Sequence, residues 1–244
     1  MKNIISILPK IILTSIFALF LFNVSQATHN RAGEITFRQL NNLTFEITIT
    51  TYTKASSVQA DRDSLELCFG DSSCEWVQRN NGPGNKGEVL GNDIKKNIYT
   101  TVHAYGSQGT YTLNMNDPNR NGGILNVNPP YSDQVPFHLS TTLTVLNIAF
   151  SGQNTSPILS NPPIDEGCVD QRFEHNPGAF DVEGDSLAYE LIVPLQSAGT
   201  PVSNYFFPNN IGGGVQILTL DPITGTLVWD SPQEASEYNI AIVI

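Results

Sequence analysis

Leu43-Thr44-Phe45-Glu46-Ile47-Thr48-Ile49 sets apolar residues at every second position against Thr and Glu. A side-chain period of two belongs to a β-strand with one face in a core and the other in solvent. Leu65, Leu67 and Phe69 repeat the pattern against Glu66 and Cys68. Working outward, segments 34–39, 75–79, 98–105, 110–115 and 142–150 read as further strands. They are separated by turn-rich pieces such as Asn80-Asn-Gly-Pro-Gly-Asn85 and Asn116-Asp-Pro-Asn-Arg-Asn-Gly-Gly123. Many short strands at this spacing point to a sandwich or barrel. Thr, Asn, Gly and Pro are abundant, and no stretch of ten or more residues carries a good helical period. The class expected is all-β: tandem antiparallel β-sandwiches.

The organisation follows from breaks in this pattern. Residues 1–27 read as a secretory signal peptide: Lys2 is the positive start, Ile11–Phe22 the apolar run, and Val24-Ser25-Gln26-Ala27 the small-residue cleavage site. The apolar run is short of the roughly 20 residues a membrane span needs, so no spanning segment is expected. Export would place the chain outside the cytoplasm, secreted or on the outer cell surface. Ser151–Pro163 is polar, Pro-rich and without alternation, and segment 153–163 reads as a linker. It separates a first sandwich, 28–152, from a second, 164–244, with strands expected at 187–194, 215–220, 226–229 and 237–244. The second holds about 80 residues against the ~100 of an immunoglobulin-like sandwich, so it reads as truncated at its C-terminus. The expectation is therefore an N-terminal fragment of a longer protein.

Charge narrows the partners. The chain carries 12 Lys and Arg against 23 Asp and Glu, a formal net charge of −11. Loss of Lys2 and Lys10 with the leader leaves 10 bases against 23 acids, or −13. Such a surface repels nucleic acid and anionic membranes. A protein or glycan at the cell surface is the expected partner.

Cys68 and Cys74 flank Phe-Gly-Asp-Ser-Ser, a hairpin loop that can set them opposite one another, so they read as a disulfide or as two free thiols. Cys168 either pairs beyond residue 244 or stays buried and free. Asp181, Glu183 and Asp185 surround Gly184, and Asp165, Glu166 and Asp170 lie upstream. Clustered acids in a loop suit calcium, which takes six to eight oxygen ligands; a solvated turn whose side chains cap their own backbone is the alternative. Tyr205, Phe206 and Phe207 either stack on sugar rings or fold back over the end of a sandwich. No catalytic residue is expected. There is no HExxH, no GxSxG and no phosphate-binding glycine loop, and Asp61 and Asp63 lie in a polar loop with nothing to raise a carboxyl pKa.

Three resemblances attach to these residues. Phe69-Gly70-Asp71, then His103-Ala-Tyr105 and Gly109-Thr-Tyr-Thr-Leu113, resemble the polycystic-kidney-disease (PKD) domain pattern over roughly 60–150. Ser72 replaces that family's second turn glycine. Phe180-Asp-Val-Glu-Gly-Asp-Ser-Leu-Ala-Tyr-Glu-Leu191 and Leu218-Thr-Leu-Asp-Pro-Ile-Thr-Gly-Thr-Leu-Val-Trp229 resemble bacterial cadherin-like and immunoglobulin-like repeats, of which the cadherin-like ones place calcium near their junctions. The mature start Thr28-His-Asn-Arg-Ala-Gly-Glu-Ile35, together with Gly91–Tyr99 and Asn116–Arg120, resembles large secreted Bacteroidetes proteins labelled gliding-motility-associated. Those typically end in a C-terminal sorting domain. The resemblances imply a non-catalytic extracellular scaffold or adhesion module stiffened by calcium, in a motility or surface-adhesion protein. The alternative is a pair of accessory modules of a larger secreted hydrolase.

Overall fold

The computed structural model describes residues 30–58 and 61–244, so the leader lies outside the described residues. The protein is all-β and antiparallel, as expected. Strands β1 (Asn30–Gln39), β2 (Thr44–Lys54), β5 (Glu88–Gly91) and β6 (Ile94–Ala104) form one sheet in the order β1-β2-β6-β5. Strands β3 (Ser64–Cys68), β4 (Cys74–Gln78), β7 (Gly109–Asp117) and β8 (Phe137–Val145) form a second, in the order β4-β3-β7-β8. Phe45, Ile47 and Ile49 of β2 pack with Leu67, Leu113, Met115 and Leu143 of the facing sheet, each with no exposed surface. The alternation of 43–49 thus becomes the inner wall of a sandwich, and burial of such side chains, worth about 1.5–3 kcal/mol each, holds the sheets together.

Polar residues close the sandwich where the apolar rows end. Inward-facing Lys95 and Asn97 precede Tyr99 on β6; Asn97 accepts from the buried Arg79 just past β4, and Lys95 shares Asp61 with that arginine. At the other end, Gly70 turns the chain at φ +81°, and a Cβ there would lie 2.7 Å from the Thr112 backbone. The next residue, Asp71, receives the Ser73 amide. Cys68 and Cys74 sit directly across this hairpin and form a disulfide with a Cα separation of 4.0 Å. Replacing both by Ser is expected to cost about 2 kcal/mol, since closing so short a loop restrains the unfolded chain only modestly; urea unfolding with and without the bridge reads it.

The second half is built from smaller pieces. Strands β10 (Phe173–His175), β15 (Ile217–Leu220) and β16 (Leu227–Asp230) form a three-stranded sheet in the order β10-β16-β15. Two-residue strands β9 (Ile158–Leu159) and β11 (Ala179–Phe180) pair with each other. So do β12 (Glu190–Ile192) with β17 (Ala241–Val243), and β13 (Leu195–Ser197) with β14 (Thr200–Pro201). Trp229 and Leu227 are buried here, the indole donating to the Gln216 side chain at 3.0 Å.

Three local differences from the sequence reading have physical causes. The strand expected to reach residue 150 stops at Val145, because Asn147 caps a short helix, Ile148–Ser151, by accepting from the Ala149 amide. Strand β6 begins at Ile94, not 98, since Lys95 and Asn97 face inward and hide the alternation. The segment read as a linker is strapped to the first sandwich: Thr155 bridges Arg38, and Ser156 exchanges hydrogen bonds with Phe37. A polar segment without alternation can still use backbone groups at a sheet edge. Among the described residues, no helix is long and apolar enough to cross a membrane.

Candidate functional site

The long segment after β7 is where the two halves meet. Pro118 lacks an amide for the ladder and turns the chain out of β7. Arg120 then folds beneath the segment with 2 % of its surface exposed. Its Nε donates to Pro136 O (3.1 Å), Nη1 to Asn239 Oδ1 (2.8 Å) and Nη2 to Leu195 O (2.6 Å). The guanidinium carbon lies 5.4 Å from the centre of the Phe137 ring. Burial pushes the Arg120 pKa down to about 10, with Tyr205 opposing the shift. That is far above neutrality, so the group stays charged and is held by carbonyl oxygens and a ring.

Asn126, fully buried, extends the seam. Its Nδ2 donates to Asn239 O at 2.8 Å and to Phe206 O at 3.0 Å, while its Oδ1 accepts the Asn239 amide at 2.8 Å. Glu237 receives Arg31 and Lys54, each at 3.0 Å, and also Asn121 Nδ2. Ile124, Val127 and Val135 of the long segment close a small apolar cluster with Val202 and Tyr205. The two halves are therefore joined through direct hydrogen bonds, ion pairs and apolar contacts as well as through the chain between them.

The three loop aromatics divide. Tyr205 turns inward, its hydroxyl donating to Asn239 O at 3.1 Å, and Phe207 meets it edge-on at 5.3 Å. Phe206 remains half-exposed. Of the three, Phe206 is the most open to a ligand, with about half of its surface exposed.

The acidic residues are spent locally. Asp181 Oδ1 accepts the amides of Glu183 and Asp185, as in a self-capping turn. Glu183 takes the amide and hydroxyl of Thr155, and so pins the strap. Asp165 accepts the Glu166 amide and lies 3.3 Å from His175 Nδ1, while Asp170 accepts from Gln233. Among the described residues, no three His, Cys, Asp or Glu side chains are gathered to hold a metal. These carboxylates do not fit a calcium cage, and millimolar calcium is expected to leave the melting temperature unchanged. A calorimetric rise of several degrees would contradict that.

The titratable pairs His103–Asp71 and Asp61–Asp63 are both tied into the fold. His103 Nε2 lies 2.8 Å from Asp71 Oδ2, and its ring stacks on Phe69 at 3.8 Å. The nearby hydroxyl, Ser73, donates to Asp71 rather than to His103. Burial disfavours the Asp71 carboxylate, but hydrogen bonds from Ser73 and His103 outweigh this and hold its pKa below the ordinary value. Asp61 and Asp63 are both clamped by Arg79, with Lys95 on the first and Lys86 on the second. Both pKa values are lowered, the opposite of what a general acid requires. Cys168 is a free thiol and exposed, so of its two sequence readings the buried one does not hold.

Comparison with protein-family models, with curated proteins and with solved structures returns no match. The site must stand on its own geometry. Its centre is the seam of Arg120, Asn126, Asn239 and Glu237, which sequence reading assigned no role. A Pro-Asn-Arg sequence in a long polar stretch signals a turn, and nothing local marks its arginine as buried.

Proposed function

We propose that this chain is a non-catalytic scaffold of the cell surface or extracellular space, in which two β units act as one rigid spacer. Arg120 carries the reading. A charged guanidinium is buried at high desolvation cost and bonds to groups on both sides of the seam. Such a contact does little for a flexible tether and much for a part that must keep its shape. The leader sequence and the disulfide accord with an oxidising exterior. The resemblances to PKD, cadherin-like and gliding-motility-associated proteins support the same role.

Antibody labelling of intact source cells tests it. Label on unpermeabilised cells, with weaker surface attachment after gene deletion, is expected. Label that appears only after permeabilisation contradicts the proposal.

A further inference from the structure

The two sheets of the first sandwich present unlike outer faces. Strands β1, β2, β5 and β6 turn Arg38, Glu46, Glu88 and Lys96 outward. This mixture of charges is ordinary solvated surface. Strands β4, β3, β7 and β8 turn out one charged carboxylate, Glu66, amid hydroxyls and amides. Thr112 faces Thr142, and Thr110 faces Thr144, as two adjacent exposed rungs. On the edge strand of this face stands Trp76, with 62 % of its surface exposed and directly opposite Glu66.

An exposed indole offers a broad flat apolar face with one N–H donor, and Trp is enriched at contacts for that reason. Trp76 is also held in place. The Cys68–Cys74 bridge lies two residues along the same face and fixes the hairpin that carries it. A rigid aromatic with few rotamers loses little entropy on binding.

The chemistry of the face selects its occupant. Nucleic acid or an anionic membrane needs bases, and this face has neither Lys nor Arg among its outward residues. A packed protein interface has an apolar centre, whereas Trp76 stands alone among polar neighbours. A neutral polysaccharide presents apolar C–H faces for an indole and hydroxyls for threonine and amide rows. We propose that the outer face of the β4-β3-β7-β8 sheet binds a neutral polysaccharide, with Trp76 stacking on a sugar ring. This does not depend on surface display: binding in solution can succeed where surface labelling fails, and the reverse.

Intrinsic fluorescence tests it on the full exported chain, because the other tryptophan, Trp229, is 5 % exposed and silent to quencher. The probes are a soluble neutral β-glucan and a soluble xylan, with heparin as the charged control. Either neutral polymer is expected to shield Trp76 from acrylamide and to retard the protein in an affinity gel. Trp76→Ala, at an exposed position, is expected to keep the melting temperature and weaken binding about tenfold or more. Thr142→Asp, which adds charge to the face, should also weaken it. Failure of both neutral polymers to retard the protein overturns the proposal, as does equal binding by Trp76→Ala. Shielding of Trp76 by protein concentration alone also overturns it, making the face a self-association surface.

Discussion

Arg120→Met is expected to lower stability by about 3 kcal/mol and to uncouple the two halves. Its guanidinium makes three hydrogen bonds, to Pro136 O, Asn239 Oδ1 and Leu195 O. Bonds from a charged donor are worth about 1.5–3 kcal/mol each, and relief of the buried charge returns part of their sum. In a chain of this size such a loss lowers the melting temperature by roughly 10 °C. The more telling sign is shape. Wild type should melt in one calorimetric transition, whereas the variant should show two, because the seam is where the second half leans on the first. Arg120→Lys keeps the charge but not the fork, and should recover only part of the loss.

Arg79→Leu is expected to cost about 3–5 kcal/mol, the range for breaking a buried ion pair from one side. The Arg79 side chain has no exposed surface. It donates to both oxygens of Asp61 at 2.6 and 3.0 Å, to Asp63 and Asn97 at 2.8 Å, and to Asn85 O at 2.8 Å. Its removal leaves Asp61 with Lys95 and strands the polar end of the sandwich. Burial pushes the Asp61 pKa upward, yet Arg79 and Lys95 together hold it below the ordinary 3.8. A carboxyl with a lowered folded-state pKa contributes stability that is complete above its unfolded value. That stability is lost as pH falls through the folded value. The gap between wild type and Arg79→Leu, read by urea unfolding, should therefore be widest at neutral pH and narrow as pH falls below the ordinary 3.8.

The sandwich was legible because its core strands alternate cleanly. Phe45, Ile47 and Ile49 declare their buried face without any tertiary information. The disulfide was legible for a related reason: two cysteines around a turn have few other geometries open to them. Strand ends were less so. Lys95, Asn97 and Arg79 are polar yet face inward, and only their pairing with one another or with Asp61 makes that tolerable. A pairing over 16 or 18 positions leaves no periodic trace. The seam was hidden more deeply, because Arg120 and Asn239 are 119 residues apart. The acidic turn is the reverse case. Asp181 and Glu183 are close in sequence, but their carboxylates accept backbone amides and the Thr155 hydroxyl.

Small-angle X-ray scattering on residues 28–244 tests most directly whether the two units form one rigid body. A single arrangement with the Arg120 seam closed should reproduce the whole scattering profile, unchanged by calcium. A profile that requires a broad distribution of distances between the units would contradict the account, and the chain would be two modules on a tether.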